Sequence, residues 1–264
     1  VLPNRWYGQL APRVQAVAMR FAAYERTLNM PIAVRHVALP LGWGRRVVLA
    51  ADLHADAAHF PAARIRQFVD LVNEQDDIDA VLMPGDFVGH DLGVLEFTAE
   101  ELGRINAPTF ATLGNHDHME GPDDVTAALV DAGIDVITDR AVELGGLWLV
   151  GVESRYVRAP SSGSIDAMVP DGAQCIVVGH EPNLATHHSQ PLHVAGHTHH
   201  GQLRFPRAPL RLLPRYSHPF SEALATVATP GSDPDRYVYT TAGLGTTTVP
   251  IRIGVPPEIV IIDC

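Results

Sequence analysis

The chain has no lysine: all 19 of its basic side chains are arginine, which excludes a lysine nucleophile or Schiff base. Cysteine is almost as scarce. Cys175 sits in an apolar run and Cys264 at the last position, neither in a CxxC pair, so neither a disulfide framework nor a thiolate zinc site is encoded. Positive charge is in deficit as well, with a formal net charge of -11, which argues against a broad nucleic-acid surface because polyanions are held by clustered cations. No apolar run reaches the roughly 20 residues that span a bilayer, and the first residues show no signal-peptide pattern. A chain beginning with Val leaves room for a leader or anchor ahead of it, so the cytoplasm and a peripheral place at the membrane or cell envelope both stay open.

What is present suits one globular α/β domain over residues 1–264, with residues 1–30 as an N-terminal helical extension. Leu10, Val14, Val17, Phe21 and Tyr24 recur at helical spacing, with Arg13, Arg20 and Arg26 elsewhere around the turn. This amphipathic helix is expected to pack on the domain. The alternative is peripheral membrane contact, with Trp6 and Tyr7 at the interface.

From residue 34 onward, short β-rich runs alternate with helical patterns. Strands are expected at 46–51, 80–83 and 109–113. Helices are expected around Ile65–Val72 and Leu95–Leu102, and a third from Val125 to Ala132 is stopped by Gly133. The second half is richer in strand: Val142–Leu144 and Leu147–Val152 flank Gly145-Gly146 as a hairpin, followed by runs at 175–178, 192–195, 237–241 and 258–262. Two mixed sheets packed face to face with helices outside accommodate both halves. The segment 204–221, with four prolines interleaved with arginines, is expected to be a long loop.

The chemistry lies where strands end. Asp52-Leu53-His54 follows the first of these strands, Gly85-Asp86 the second and Gly114-Asn115-His116-Asp117 the third; Gly179-His180 and Gly196-His197-Thr198-His199 follow later ones. Ligands gather outside the carboxyl ends of strands in α/β sheets, so five loops converge on one place. Residues two apart in an extended segment face the same way, which lets Asp52 act with His54, and His197 with His199. Each pair alone could be a hydrogen-bonded turn; the ordered combination is specific.

In that order the blocks resemble the signature of the calcineurin-like metallophosphoesterase superfamily, DxH, GDxx, GNH(D/E), H and GHxH, between residues 52 and 199. The resemblance implies a four-layer αββα sandwich of two mixed β-sheets flanked by helices, and a dinuclear site. Asp52, His54 and His199 would hold one ion, Asn115, His180 and His197 the other, and Asp86 would bridge them. Imidazoles with carboxylates suit Mn, Fe or Zn. Two such ions activate water and clamp phosphoryl oxygens for in-line hydrolysis without a covalent enzyme intermediate. His116 is then expected to face the substrate and protonate the leaving oxygen, with Asp117 orienting its ring.

His90, His118, His187, His188 and His200 border these blocks and are read as solvated or supporting residues. His200 stands where close relatives usually have Gly, and Asn183 where they usually have Asp. Gly243-Leu244-Gly245, Pro250-Ile251-Arg252 and Pro256-Pro257-Glu258 resemble the ending of the bacterial phosphodiesterase branch typified by the YaeI and YkuE proteins, except that Ala242 replaces a frequent Arg. The expected activity is a phosphodiesterase or phosphomonoesterase acting on a small-molecule or lipid-linked phosphate ester. A UDP-diacylglucosamine-like pyrophosphate is one lipid-linked alternative. A catalytically silent scaffold is the alternative from another class, disfavoured because the ligand blocks and His116 are intact.

Overall fold

The computed structural model describes residues 22–161, 163–204, 220, 223–227 and 236–264. Leu10, Val14, Val17 and Phe21 of the expected N-terminal helix, and most of the 204–221 loop, lie outside the described residues. A short helix α1 (Ala22–Leu28) follows, with Tyr24 and Thr27 buried.

Two six-stranded sheets form the centre. The first has the order β1 (Ala33–Ala38), β12 (Glu258–Asp263), β2 (Arg46–Leu49), β3 (Ala80–Pro84), β4 (Thr109–Thr112), β5 (Asp135–Val136). The second has the order β10 (Ala223–Val227), β11 (Arg236–Thr240), β9 (Leu192–Ala195), β8 (Gln174–Gly179), β7 (Leu147–Val152), β6 (Ala141–Leu144). Each sheet is mixed: β2 to β5 run parallel with β12 antiparallel to β2, and β7, β8, β9 and β11 run parallel with β6 and β10 antiparallel at the edges. The expected pair of mixed sheets flanked by helices is the fold observed.

Alternation of side chains along each strand makes the layers. Val47 and Leu49 of β2 and Ala80 and Leu82 of β3 pack between the sheets, against Leu147, Leu149, Ile176, Val178 and Val194. Val48, Val81 and Met83 point the other way, onto α2 (Ala62–Asn73), α3 (Leu95–Leu102) and α5 (Pro122–Asp131) through Ile65, Phe68, Val69, Leu102 and Leu129. Strands buried on both faces read as continuous apolar runs, which is why these were conspicuous in the sequence. Among the described residues, no helix is long and apolar enough to cross a membrane.

Several boundaries differ from expectation by one to three residues, two of them next to the candidate site. β2 ends at Leu49 and β4 at Thr112, because the backbone must turn before the polar residues that follow. The Gly145-Gly146 hairpin forms as expected, with φ of 56° and 93°, a left-handed pair that glycine adopts without a Cβ clash.

Candidate metal centre

The loops after β2, β3, β4, β8 and β9 meet at the carboxyl ends of their strands. Five of the residues they carry, Asp52, His54, Asp86, His197 and His199, have positive φ, between 45° and 70°. Non-glycine residues rarely sit there, and such strain persists where the surroundings fix it, often at functional sites. The loops also need glycine to come this close: Gly85 has φ of 84°, and a Cβ on Gly114 would run into the Asp86 carboxylate.

Three groups of donor atoms result, each with all atoms within 4.8 Å of one another: Asp52, His54 and His199; Asp86, His180 and His197; and His54, Asp86 and His116. Asp86 belongs to the last two of these groups and His54 to the first and third. Asp86 Oδ2 lies 3.4 Å from His54 Nε2 and 3.2 Å from His180 Nε2, while Oδ1 accepts the His116 backbone N–H at 2.8 Å. Asn115 Oδ1 is 3.1 Å from His180 Nε2. The Asp52 carboxylate accepts the His197 backbone N–H at 2.9 Å, which ties the first loop to the last. All seven residues proposed from the motifs are therefore brought together.

The donor chemistry fits a cation. His180 donates from Nδ1 to the Pro84 carbonyl at 2.7 Å, so beside a bound cation the neutral ring would present its lone pair at Nε2. That nitrogen faces Asn115 Oδ1, Asp86 Oδ2 and His197 Nδ1, the last at 3.1 Å. On the other side, Nε2 of His54 and Nε2 of His199 stand 3.0 Å apart. Carboxylate oxygens and imidazole nitrogens that converge this closely, out of water, suit a cation among them. Burial lowers His54 and His199 well below the usual imidazole range and His197 to about 4, keeping their lone pairs free. Burial raises Asp52 to about 7, and a bound cation would reverse that. Burial also works against ionisation of Asp86, but the facing His180 and His116 drive it well below the carboxylate range. For His180 burial is outweighed by Asp86, which pushes it up.

His116 occupies the first turn of α4 (Asn115–Glu120). Its Nδ1–H donates to the Gly89 carbonyl at 2.8 Å, which leaves Nε2 for a substrate, and its ring stands edge-on to His54 with centroids 4.6 Å apart.

Asp117 corrects the sequence reading. It does not orient His116. Its carboxylate accepts backbone N–H groups from Asp86 at 2.8 Å, Phe87 at 2.9 Å, Val88 at 3.2 Å and Gly114 at 2.9 Å. Adjacent residues on a helix point about 100° apart, so the side chain that follows His116 is directed into the protein. Burial, then the nearby Asp86, raises Asp117 to about 6.

Of the bordering histidines, His118 contacts Glu153 at 2.8 Å, His188 is buried against His193, and His200 is buried against the Thr240 carbonyl. Sequence reasoning passed over Arg252 as a site residue. It is fully buried and donates to the carbonyls of Ala242 (2.8 Å), Gly243 (3.1 Å) and Gly245, with Nη2 also 3.4 Å from His199 Nδ1. Residues 244 and 245 in turn bond along the first loop, Leu244 N–H to Ala51 O and Gly245 N–H to Asp52 O. Nothing local to Arg252 in the sequence signals that reach. Asp56 and His59, an Asp-x-x-His pair beside the first block, were also missed.

Residues 45–201 match the family model for calcineurin-like phosphoesterases. The chain belongs to the calcineurin-like phosphoesterase family. Its similarity extends past that segment: an uncharacterized metallophosphoesterase of Helicobacter pylori (strain ATCC 700392 / 26695) is 25% identical over 228 residues, covering 81% of this chain and 58% of the relative. One of Aquifex aeolicus is 27% identical over 236 residues, with coverage of 85% and 86%. Phosphodiesterase YaeI of Escherichia coli is 28% identical over 237 residues, with coverage of 83% and 81%. The chain thus spans about 58% of the length of the Helicobacter relative. Within the calcineurin-like phosphoesterase fold, the clustered acids and imidazoles supply one or two potential metal positions.

Proposed function

We propose that the chain is a dinuclear metal-dependent phosphoesterase that acts as a phosphodiesterase. The observation that carries this reading is the place of Asp86 Oδ2, 3.4 Å from His54 Nε2 on one side and 3.2 Å from His180 Nε2 on the other. In this reading Asp52, His54 and His199 hold one ion, Asn115, His180 and His197 the second, and Asp86 both. Two Mn, Fe or Zn ions supply charge neutralisation at phosphorus and a nucleophile from water at neutral pH.

The protein's part is orientation and proton transfer. The Gly89 carbonyl holds His116 Nδ1–H, which would leave Nε2 to the leaving oxygen, and the ring stands edge-on to His54. As an imidazolium, His116 would hand its Nε2 proton to the departing alkoxide and keep Nδ1–H on the Gly89 carbonyl. The similarity to phosphodiesterase YaeI of Escherichia coli favours a diester over a monoester.

The test compares bis-p-nitrophenyl phosphate with p-nitrophenyl phosphate over Mn, Fe and Zn, with Asp86→Asn as control. Metal-dependent turnover that prefers the diester and is lost in the control is expected. A protein that binds two ions and turns over neither ester with any metal overturns the reading in favour of a silent scaffold.

A further inference from the structure

A row of imidazoles runs from the candidate metal centre outward through His116. The His54 and His116 centroids are 4.6 Å apart, His116 and His90 5.6 Å, and His90 and His59 5.2 Å. His59 ends the row on a carboxylate, with Nδ1 2.7 Å from Asp56 Oδ2. The row closes on itself through Gly89, whose carbonyl holds His116 and whose Cα lies so near that carboxylate that a Cβ would stand 2.7 Å from Asp56 Oδ2. None of Asp56, His59 and His90 belongs to the seven candidate ligands.

Two features show hydrogen-bonding capacity not used within the fold. The His59 side chain is fully buried, yet Nε2 has no partner. A buried polar atom left so costs about 1–3 kcal/mol, which a ligand's hydroxyl would recover. His90, half-buried, is the ring in contact with it that reaches the surface, and among the described residues the ring nitrogens of His90 make no hydrogen bond.

The charges around this row decide what fits. Asp56 and Asp91 face His90, and Glu120 faces His116 and Asp91. Asp56 accepts hydrogen bonds from the Ala58 and His59 amides at 2.7 and 2.6 Å and lies 2.7 Å from His59 Nδ1. Burial, with His59 and His116 beside it, lowers His90 to about 4, so that it is neutral near pH 7. An anionic group here meets carboxylates and no imidazolium from His90, whereas a hydroxyl meets imidazoles able to give or accept a hydrogen bond.

We infer that Asp56, His59 and His90 form a leaving-group subsite for an uncharged, hydroxyl-bearing alcohol such as glycerol or a sugar. Because it lies beyond His116, it receives whatever departs from phosphorus. It disfavours a leaving group that carries a second phosphate, as a nucleotide or a pyrophosphate half would. The inference rests on the phosphodiesterase reading and names the substrate class within it.

The test uses the metal-loaded full chain and three methyl phosphodiesters whose larger alcohol is glycerol, choline or glycerol phosphate, following release of that alcohol. Glycerol is expected to exceed glycerol phosphate by about tenfold or more in kcat/KM, as for a site that hydrogen-bonds one partner and repels the other. His90→Ala should narrow that ratio with both metals still bound and melting temperature unchanged, and His90→Gln should retain part of it. Glycerol phosphate cleaved as well as glycerol, choline preferred over both, or an equal loss on all three esters in His90→Ala would each overturn the inference. Bis-p-nitrophenyl phosphate in the same assay separates the two levels: turnover without the preference sinks the subsite alone, and no turnover sinks the phosphodiesterase reading with it.

Discussion

The Asp117 carboxylate accepts the backbone N–H of Asp86 at 2.8 Å, so the residue after the proposed acid holds the proposed bridging ligand from behind. It does so from the third position of α4, where it also accepts the Gly114 N–H and closes the helix start. Asp86 has a positive φ of 58°, and three successive amides, of residues 86 to 88, are gathered onto the one carboxylate.

Asp117→Ala should therefore act on the loop and not on proton transfer. It leaves four buried N–H groups without their acceptor, and a loss of about 3 kcal/mol or more in unfolding free energy is expected. Metal affinity should fall with it, while turnover per bound metal pair changes less. Denaturant unfolding together with metal analysis checks this. A variant of normal stability and metal content that loses turnover would return Asp117 to the role of orienting His116.

His116→Ala should show the opposite pattern. The ring contributes no ligand in the proposed scheme, so metal content and melting temperature stay near wild type. Turnover of an ester with a poor leaving group should fall about 100-fold, the scale of general acid catalysis. An ester with an activated leaving group should lose less, because its oxygen departs without a proton. Equal losses on both esters would count against the acid role.

Much of this site was legible because it is built from local pieces. Asp52-Leu53-His54 and His197-Thr198-His199 each place two donors on one loop, and the apolar runs before them mark strands buried on both faces. Edge strands were less legible. β5 is two residues long, and β1 and β10 have mostly exposed or half-buried residues, so neither presents a continuous apolar run. The supporting contacts were hidden for another reason. His116 and Asp117 are neighbours in sequence but diverge on a helix, and Arg252 meets His199 across 53 residues, which no local pattern encodes. Pairing of Asp117 with His116 followed from adjacency alone, and helix geometry overrode it.

Arg252 gives a third prediction. Its buried guanidinium pins the carbonyls of residues 242, 243 and 245, and that segment bonds along Ala51 and Asp52. Arg252→Met leaves those carbonyls unpaired out of water and should cost about 3–5 kcal/mol of stability, the range for breaking a buried charged network. Arg252→Lys, which keeps the charge but not the fork, should recover part of the stability. In the lysine variant the metal position of Asp52 and His199 should weaken more than that of Asn115, His180 and His197. Stepwise metal titration reads the difference, and equal weakening of both would assign Arg252 to the fold alone.

Metal binding should itself be a stability term. The converging carboxylates and lone pairs are uncompensated without a cation, so Mn, Fe or Zn ought to raise the melting temperature. At a free metal concentration of 100 times Kd, one site adds about 2.7 kcal/mol. Asp86→Asn removes the shared carboxylate and should reduce the gain for both ions, whereas Asn115→Ala should reduce it for one. A melting temperature indifferent to every metal would argue against the proposed centre.

His188 and His193 set a pH dependence that is separate from the metals. The two rings are buried and stacked, with centroids 5.3 Å apart and Nε2 of one 3.1 Å from Nδ1 of the other. Burial, with Arg236 and His187 nearby, lowers His188 to about 3; burial and His188 lower His193 well below the imidazole range. In the unfolded chain each titrates near about 6.5. Above that value neither state takes the proton, and the full stability is present. As pH falls below it, the unfolded chain binds a proton that the folded pair refuses, so stability is lost progressively down to about pH 3. The loss from His188 alone is about 1.4 kcal/mol per pH unit, or roughly 2 kcal/mol between about pH 6.5 and pH 5. His188→Asn should flatten the acid side of the stability profile by about one proton relative to wild type. Both proteins are compared with metal chelated, so the titration of the metal-centre histidines is common to the two and cancels in the difference. Identical acid slopes for variant and wild type would show that the pair takes up protons in the folded state.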